Sequence, residues 1–228
     1  MTPLQRLLLP AWARAFFLTN VGGLLVLALV VATESADDSF AVLGDRICRD
    51  VPHTWALLSP ALALAAAALA TSRMRGSGEL LAMATLGLSR LRVLLSVAWV
   101  ALPTAALAAV VGRGTEPAVT VARAAGAWIV EGRVLLDPGA ATPSAAALDA
   151  VRYGDPLDWP GTAILLVAAA LSGAALGARG GGRAVLMAAA AVVVADLVRR
   201  GVDPAVGLGI LAATAGVAGG LVWRGAGR

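Results

Sequence analysis

Side chains able to do covalent chemistry are scarce in this 228-residue chain, and that scarcity excludes most enzymatic classes. There is one histidine, His53, and one cysteine, Cys48. A catalytic triad or a Cys–His pair needs an imidazole beside a nucleophile and a third orienting group, so no credible constellation exists. A single thiol forms neither an internal disulfide nor a thiol-based zinc site. All 18 basic residues are arginine, which fits a coding bias. Without lysine the Gly-x-x-x-x-Gly-Lys phosphate loop is impossible, because its ammonium must reach the terminal phosphates. Gly177-Ala-Arg-Gly-Gly-Gly-Arg183 is Gly-rich and basic, but reads as a link between two apolar runs. No metal, no cofactor and no intrinsic catalysis are expected.

What remains is a short polar inventory. Thr19 and Asn20 lie in a long apolar run, where they can hydrogen-bond across helices or polarise a substrate path. Asp196 stands one turn before Arg199 and Arg200, the spacing of an interfacial ion pair. No pair of ionisable residues lies deep in an apolar run, so an ion-coupled carrier has no support. Glu79 is different. It opens Glu79-Leu-Leu-Ala-Met-Ala-Thr-Leu-Gly87, read as a short helix within 77–87. Ser77 is placed to cap it, Glu79 to complement its macrodipole, Gly87 to stop it left-handed, and Ser89 to cap the next span. Leu80, Leu81, Met83 and Leu86 give it an apolar side that suits either a membrane surface or a partner's groove. A lone carboxylate among arginines offers one directed contact to a partner's Arg.

The elements that position these residues are membrane spans. The chain is 59% hydrophobic with mean hydropathy +0.84, and its apolar residues come in uninterrupted runs. About 17–25 such residues cross a bilayer as a helix. Six runs qualify: 15–33, 54–71, 93–111, 161–178, 184–198 and 204–223. The expected fold is an all-α integral membrane protein of six transmembrane helices. With the N-terminus inside, the inner segments hold ten arginines (6, 14, 73, 75, 90, 92, 179, 183, 224, 228) against one acid, Glu79. The outer segments then hold nearly all the other carboxylates, so both termini are expected in the cytoplasm. The net charge of +4 is this orienting excess. No aromatic-interleaved basic stripe suggests nucleic acid. The first run, longer than a signal-peptide core, is read as an uncleaved anchor.

The chain divides into three regions. Residues 1–112 hold an amphipathic lead-in (1–14), spans one to three, and the Glu79 helix. Residues 113–160 form an outer insert, and residues 161–228 hold spans four to six. An acidic outer loop is expected at about 34–52. In the insert, Glu131-Gly132 reads as a turn between apolar strands within 127–136, and Val151–Tyr153 as a further short strand. So small an insert makes a poor independent core, and a hairpin-like cap on the spans is expected. Gly173-x-x-x-Gly177 and Gly216-x-x-x-Gly220 have the spacing of close helix approach in lipid.

Glu79-Leu-x-Ala-x-x-x-x-Gly87-x-Ser89, between the second and third spans and just before Arg90-Leu-Arg92, resembles the coupling-helix signature of LptF/LptG lipopolysaccharide-export permeases. The Arg-Leu-Leu-Leu start at residue 6, the three-plus-three layout and the Gly/Arg inner turn resemble that family as well. The resemblance implies a bacterial inner-membrane permease half, paired with a second LptF/LptG-like half and a cytoplasmic LptB-type ABC ATPase dimer, acting on a membrane lipid. Glu79, Leu80, Ala82, Met83, Gly87 and Ser89 would then form the ATPase-coupling site. Asn20 and Asp196 would neighbour the lateral lipid gate between the first and fifth spans. Two features depart from the family pattern. Residues 113–158 stand where family members carry a β-jellyroll, and Ala84 stands where Arg is common. The alternative function is a non-transporting inner-membrane scaffold.

Overall fold

The computed structural model describes residues 3–34, 40–114, 122–124, 127–130, 133–136, 158–180, 182–201 and 204–226. Eight helices and a small sheet are seen among them. α1 is Pro3–Glu34, α2 Phe40–Gly76, α3 Glu79–Thr85, α4 Arg90–Leu95 and α5 Ala98–Gly114. β1 (Ala122–Ala124), β2 (Ala127–Val130) and β3 (Arg133–Leu136) come next, then α6 (Asp158–Arg179), α7 (Gly182–Gly201) and α8 (Pro204–Ala226). Five stretches are long and apolar enough to cross a membrane: Leu8–Thr33, Leu43–Gly76, Arg90–Val111, Gly161–Arg179 and Gly207–Arg224. The expected fifth run, 184–198, lies in α7 and is not among the five. Arg183, Asp196, Arg199 and Arg200 crowd that 20-residue helix.

One expectation about the first half needs correction, while its lead-in runs on unbroken. The lead-in and the first span are one continuous helix, with Leu8, Trp12 and Phe16 buried along a single face. The stretch expected as an acidic loop, 34–52, is helical from Phe40 onward. Charge alone does not end a helix, and Asp45, Arg46 and Cys48 simply stay exposed on it. α2 is thereby about 55 Å long at 1.5 Å per residue, longer than the ~30 Å hydrocarbon core. It also runs through Pro60, whose missing N–H leaves the Ala56 carbonyl without its helical donor. Ser59 supplies the replacement, its hydroxyl donating to Ala56 O at 2.8 Å. Ser/Thr back-bonding of this kind is how membrane helices tolerate proline.

α2 and α6 form the central pair, with α1, α5, α7 and α8 around them. Their seam is built of small residues: Ala63, Ala66, Ala67 and Ala70 on α2, Ala169, Ala170 and Ala174 on α6, all buried. A Cβ at Gly173 would collide with the Leu64 backbone, and one at Gly177 with the Ala68 backbone. That glycine pair therefore sets the backbone separation, as expected of such spacing in lipid. At Gly216 and Gly220 a Cβ would meet nothing, so that second pair makes no close approach among the described residues.

The third expected span is two helices. α4 and α5 meet at Ser96-Val97, where Val97 N–H bonds Leu94 O (3.3 Å) and Val100 N–H bonds Val97 O (3.0 Å) in tightened i→i+3 turns. Ser96 Oγ donates to Val93 O at 2.6 Å, the local back-bonding that bends helices. In the insert, β2 pairs antiparallel with β3 from Val130↔Arg133 to Ala127↔Leu136, matching the expected hairpin. β1 adds a third antiparallel strand through Ala124↔Ala127. Val151–Tyr153 lies outside the described residues.

Candidate functional site

α3 is only seven residues long, too short to persist in water on its own. Its neighbours hold it. Gly78 (φ 78°) and Gly87 (φ 77°) bracket it with two left-handed residues, a conformation in which only glycine escapes the Cβ clash. At the far end Leu88 N–H bonds Met83 O and Gly87 N–H bonds Ala84 O, both at 3.0 Å. These are the paired 6→1 and 5→2 bonds of a Schellman stop. Ser89 then caps α4, its hydroxyl accepting from Arg92 N–H at 3.4 Å. The near end differs from expectation. The N-cap is Gly78, with no side-chain cap, and Ser77 Oγ instead donates to Glu79 Oε1 at 2.9 Å. The left-handed Gly78 moves Ser77 one position too early to cap.

The packing splits α3 into two sides. Met83 is buried in the same cluster as Leu8, Trp12, Val93 and Leu94, and Leu80 packs against that cluster. Glu79, Ala82, Leu81 and Leu86 are exposed, the last two at 67% and 78%. The rod is thus rooted in the bundle by two residues three apart and offers a carboxylate and two leucines outward. Trp12 extends the rooting. Its Nε1 donates to Ser96 Oγ at 2.9 Å in a buried setting, tying α1 to the α4–α5 bend. Nothing in the sequence marks that pair, which is 84 residues apart.

Asn20 and Asp196 stand on different helices, α1 and α7. Asn20 joins α1 to α2: its Oδ1 accepts from Trp55 Nε1 at 2.9 Å, and its Nδ2 donates to Phe16 O at 2.7 Å. Asp196 is buried (2% exposed) on α7, one turn past Val192, which packs with Leu64 of α2 and Leu165 of α6. α2 is the helix against which both α1 and α7 pack. The side chains of Arg199 and Arg200 lie outside the described residues, and with them the expected pairing of Asp196. Among the described residues no group of His, Cys, Asp and Glu could hold a metal ion.

Beside α3 lies a cavity of ≈ 430 Å³ that no sequence pattern announces. Arg75, Arg90, Arg179 and Arg224 reach its walls from four helix ends, with Leu80, Leu81, Val93 and Leu94 as apolar lining. The Arg75 guanidinium lies over Gly180, where a Cβ would collide with it. Arg179 Nη2 donates to Leu221 O at 3.3 Å. In the sequence these arginines registered only as charges that orient spans.

No curated protein and no solved structure matches the chain. Comparison with protein families does. Residues 6–125 match the lipopolysaccharide export system permease LptF/LptG, a stretch that takes in α1 to α5, with α3 and its exposed Glu79 near the middle. With just over half of its length matched, this multi-pass membrane chain belongs to the LptF/LptG family of lipopolysaccharide export permeases.

Proposed function

We propose that the chain is one membrane half of an ABC-type lipid extractor, driven through α3 by a separate cytoplasmic ATPase. α7 serves as a sixth span, both termini face the cytoplasm, and the membrane is the bacterial inner membrane. An LptB-type ATPase dimer grips the outward side of α3. Glu79 makes the directed charge contact, Leu80, Ala82 and Met83 form the body of the rod, and Gly87 and Ser89 fix its exit. A second LptF/LptG-like half completes the lipid path, with Asn20 and Asp196 at the lateral opening. The chain itself has no catalytic role.

The observation that supports this reading is the split of α3: Met83 in the buried cluster, Glu79 and Leu86 exposed. A surface-lying helix would turn its leucines to lipid and need no root. A rod anchored at Met83 passes a push on Glu79 into the buried cluster that also holds Leu8, Trp12 and Val93, because close-packed interiors transmit displacement. The test is extraction in mild detergent and identification of the proteins that come with the chain. A cytoplasmic ATPase should co-purify. Glu79→Arg should weaken its retention on the order of tenfold or more, as expected for losing a charge-assisted hydrogen bond of about 1.5–3 kcal/mol. Full retention together with unchanged ATPase activity would remove Glu79 from the mechanism and favour a scaffold.

A further inference from the structure

We infer that the four-arginine cavity beside α3 is a binding site for the phosphate of an anionic glycerophospholipid headgroup. Among the described residues, Arg75, Arg90, Arg179 and Arg224 line it and no carboxylate does. Positive residues at one end of a bundle are expected merely from membrane orientation. Orientation does not require them to converge on one hollow. Arg75, Arg179 and Arg224 occupy the last turns of α2, α6 and α8, where the helix macrodipole favours a cation. Arg90 has no such excuse. It opens α4, at the helix end where a cation is disfavoured, yet it lines the same hollow.

The rest of the lining selects among anions. Leu80, Leu81, Val93 and Leu94 are apolar, which suits the glycerol and upper acyl region of a lipid and not a free ion. The volume, ≈ 430 Å³, falls within the range of small-molecule sites. The four arginines also stand at the ends of spanning helices, at headgroup depth, where basic pockets between helices bind anionic headgroups. Guanidinium forks match phosphate oxygens two at a time. A lipid there bridges α2, α4, α6 and α8 and touches α3 through Leu80 and Leu81. It therefore stiffens the footing of α3. None of this depends on ATPase coupling; it needs only the membrane setting.

The test uses the full chain, with whatever purifies with it, titrated with phosphatidylglycerol or phosphatidylcholine and followed by native mass spectrometry. Phosphatidylglycerol should bind in preference. Its apparent affinity should fall at least about tenfold in Arg90→Gln/Arg224→Gln, at roughly fivefold per neutralised arginine. Arg73→Gln/Arg92→Gln changes the net charge equally, does not touch the cavity, and should leave binding within about twofold. Inorganic phosphate at millimolar concentration should not displace the lipid. Equal loss in both double variants overturns the site, as does displacement by phosphate, which would make it a free-anion site. Unchanged lipid binding with loss of a co-purifying protein in Arg90→Gln/Arg224→Gln would assign the cavity to a protein partner and likewise overturn it. A misfolded variant is recognised by lost thermal unfolding, in which case Arg90→Lys, which keeps the charge, should bind phosphatidylglycerol within about fivefold of the parent; a folded Arg90→Lys chain with no preference for phosphatidylglycerol overturns the site.

Discussion

Ser96 does two jobs with one hydroxyl: it accepts the buried Trp12 N–H and donates to Val93 O. Ser96→Ala leaves the buried indole N–H without its partner. The expected cost is about 1–2 kcal/mol, toward the modest end because membrane helices find other partners when unfolded. Thermal unfolding in detergent should show it as a fall of several degrees. Ser77→Ala, at an exposed position, should stay within about 0.5 kcal/mol of the parent. A Ser77→Ala loss as large as that of Ser96→Ala would mean that the Ser77–Glu79 bond, and not the buried pair, holds α3 in place. Gly87 and Ser89 were legible from residue type, since a left-handed stop and a hydroxyl cap are local requirements. Ser77 does not cap α3 because Gly78 takes the N-cap position in a left-handed conformation, and a sequence does not display φ. The Trp12–Ser96 pair was invisible for a different reason: only packing brings residues that distant together.

At the scale of helices, two glycine pairs of identical spacing have opposite fates. Gly173 and Gly177 face the α2 backbone, whereas Gly216 and Gly220 face open space. Gly177→Ala should force α2 and α6 apart, since the atom it meets is a main-chain oxygen that cannot swing away. Overpacking of this kind costs about 1–3 kcal/mol. Gly216→Ala should be neutral or slightly stabilising, because alanine favours the helix by up to about 1 kcal/mol. Thermal stability of both variants checks the contrast, and equal behaviour would refute the seam. Spacing alone could not rank the two pairs, because in a chain with 26 glycines such motifs arise often. The break at Ser96-Val97 was also hidden inside a continuous apolar run. Hydropathy reports that a segment is apolar and says nothing of a hydroxyl bent back on its own helix.

For the molecule as a whole, the proposed orientation makes a labelling prediction that uses the chain's own single thiol. Cys48 is exposed on the long α2, near its start, and Glu79 comes directly after its end. The two therefore sit on opposite sides of the membrane if α2 crosses it once. A membrane-impermeant maleimide given to intact spheroplasts should modify Cys48. Glu79→Cys in a Cys48→Ser background should react only after lysis. The reverse pattern would place α3 outside, beyond the reach of a cytoplasmic ATPase. The arginine bias behind the orientation was plain in the sequence, since charge is a property of composition by segment. The convergence of four of those arginines on one hollow was not.

Membrane residence, the approximate positions of most spans, the β2–β3 hairpin and the α3 rod with its glycine stop could all be read from the residues in order. Each depends on neighbours along the chain: the length of an apolar run, a turn pair, a left-handed glycine. Folding settled which glycines meet a backbone, that Asn20 ties α1 to α2, that Met83 roots α3 in the buried cluster that holds Trp12, and that Arg75, Arg90, Arg179 and Arg224 share a cavity. Those facts join residues dozens of positions apart, and in a bundle of alanine-rich helices the rotation of each helix is set by close packing, which no local pattern encodes.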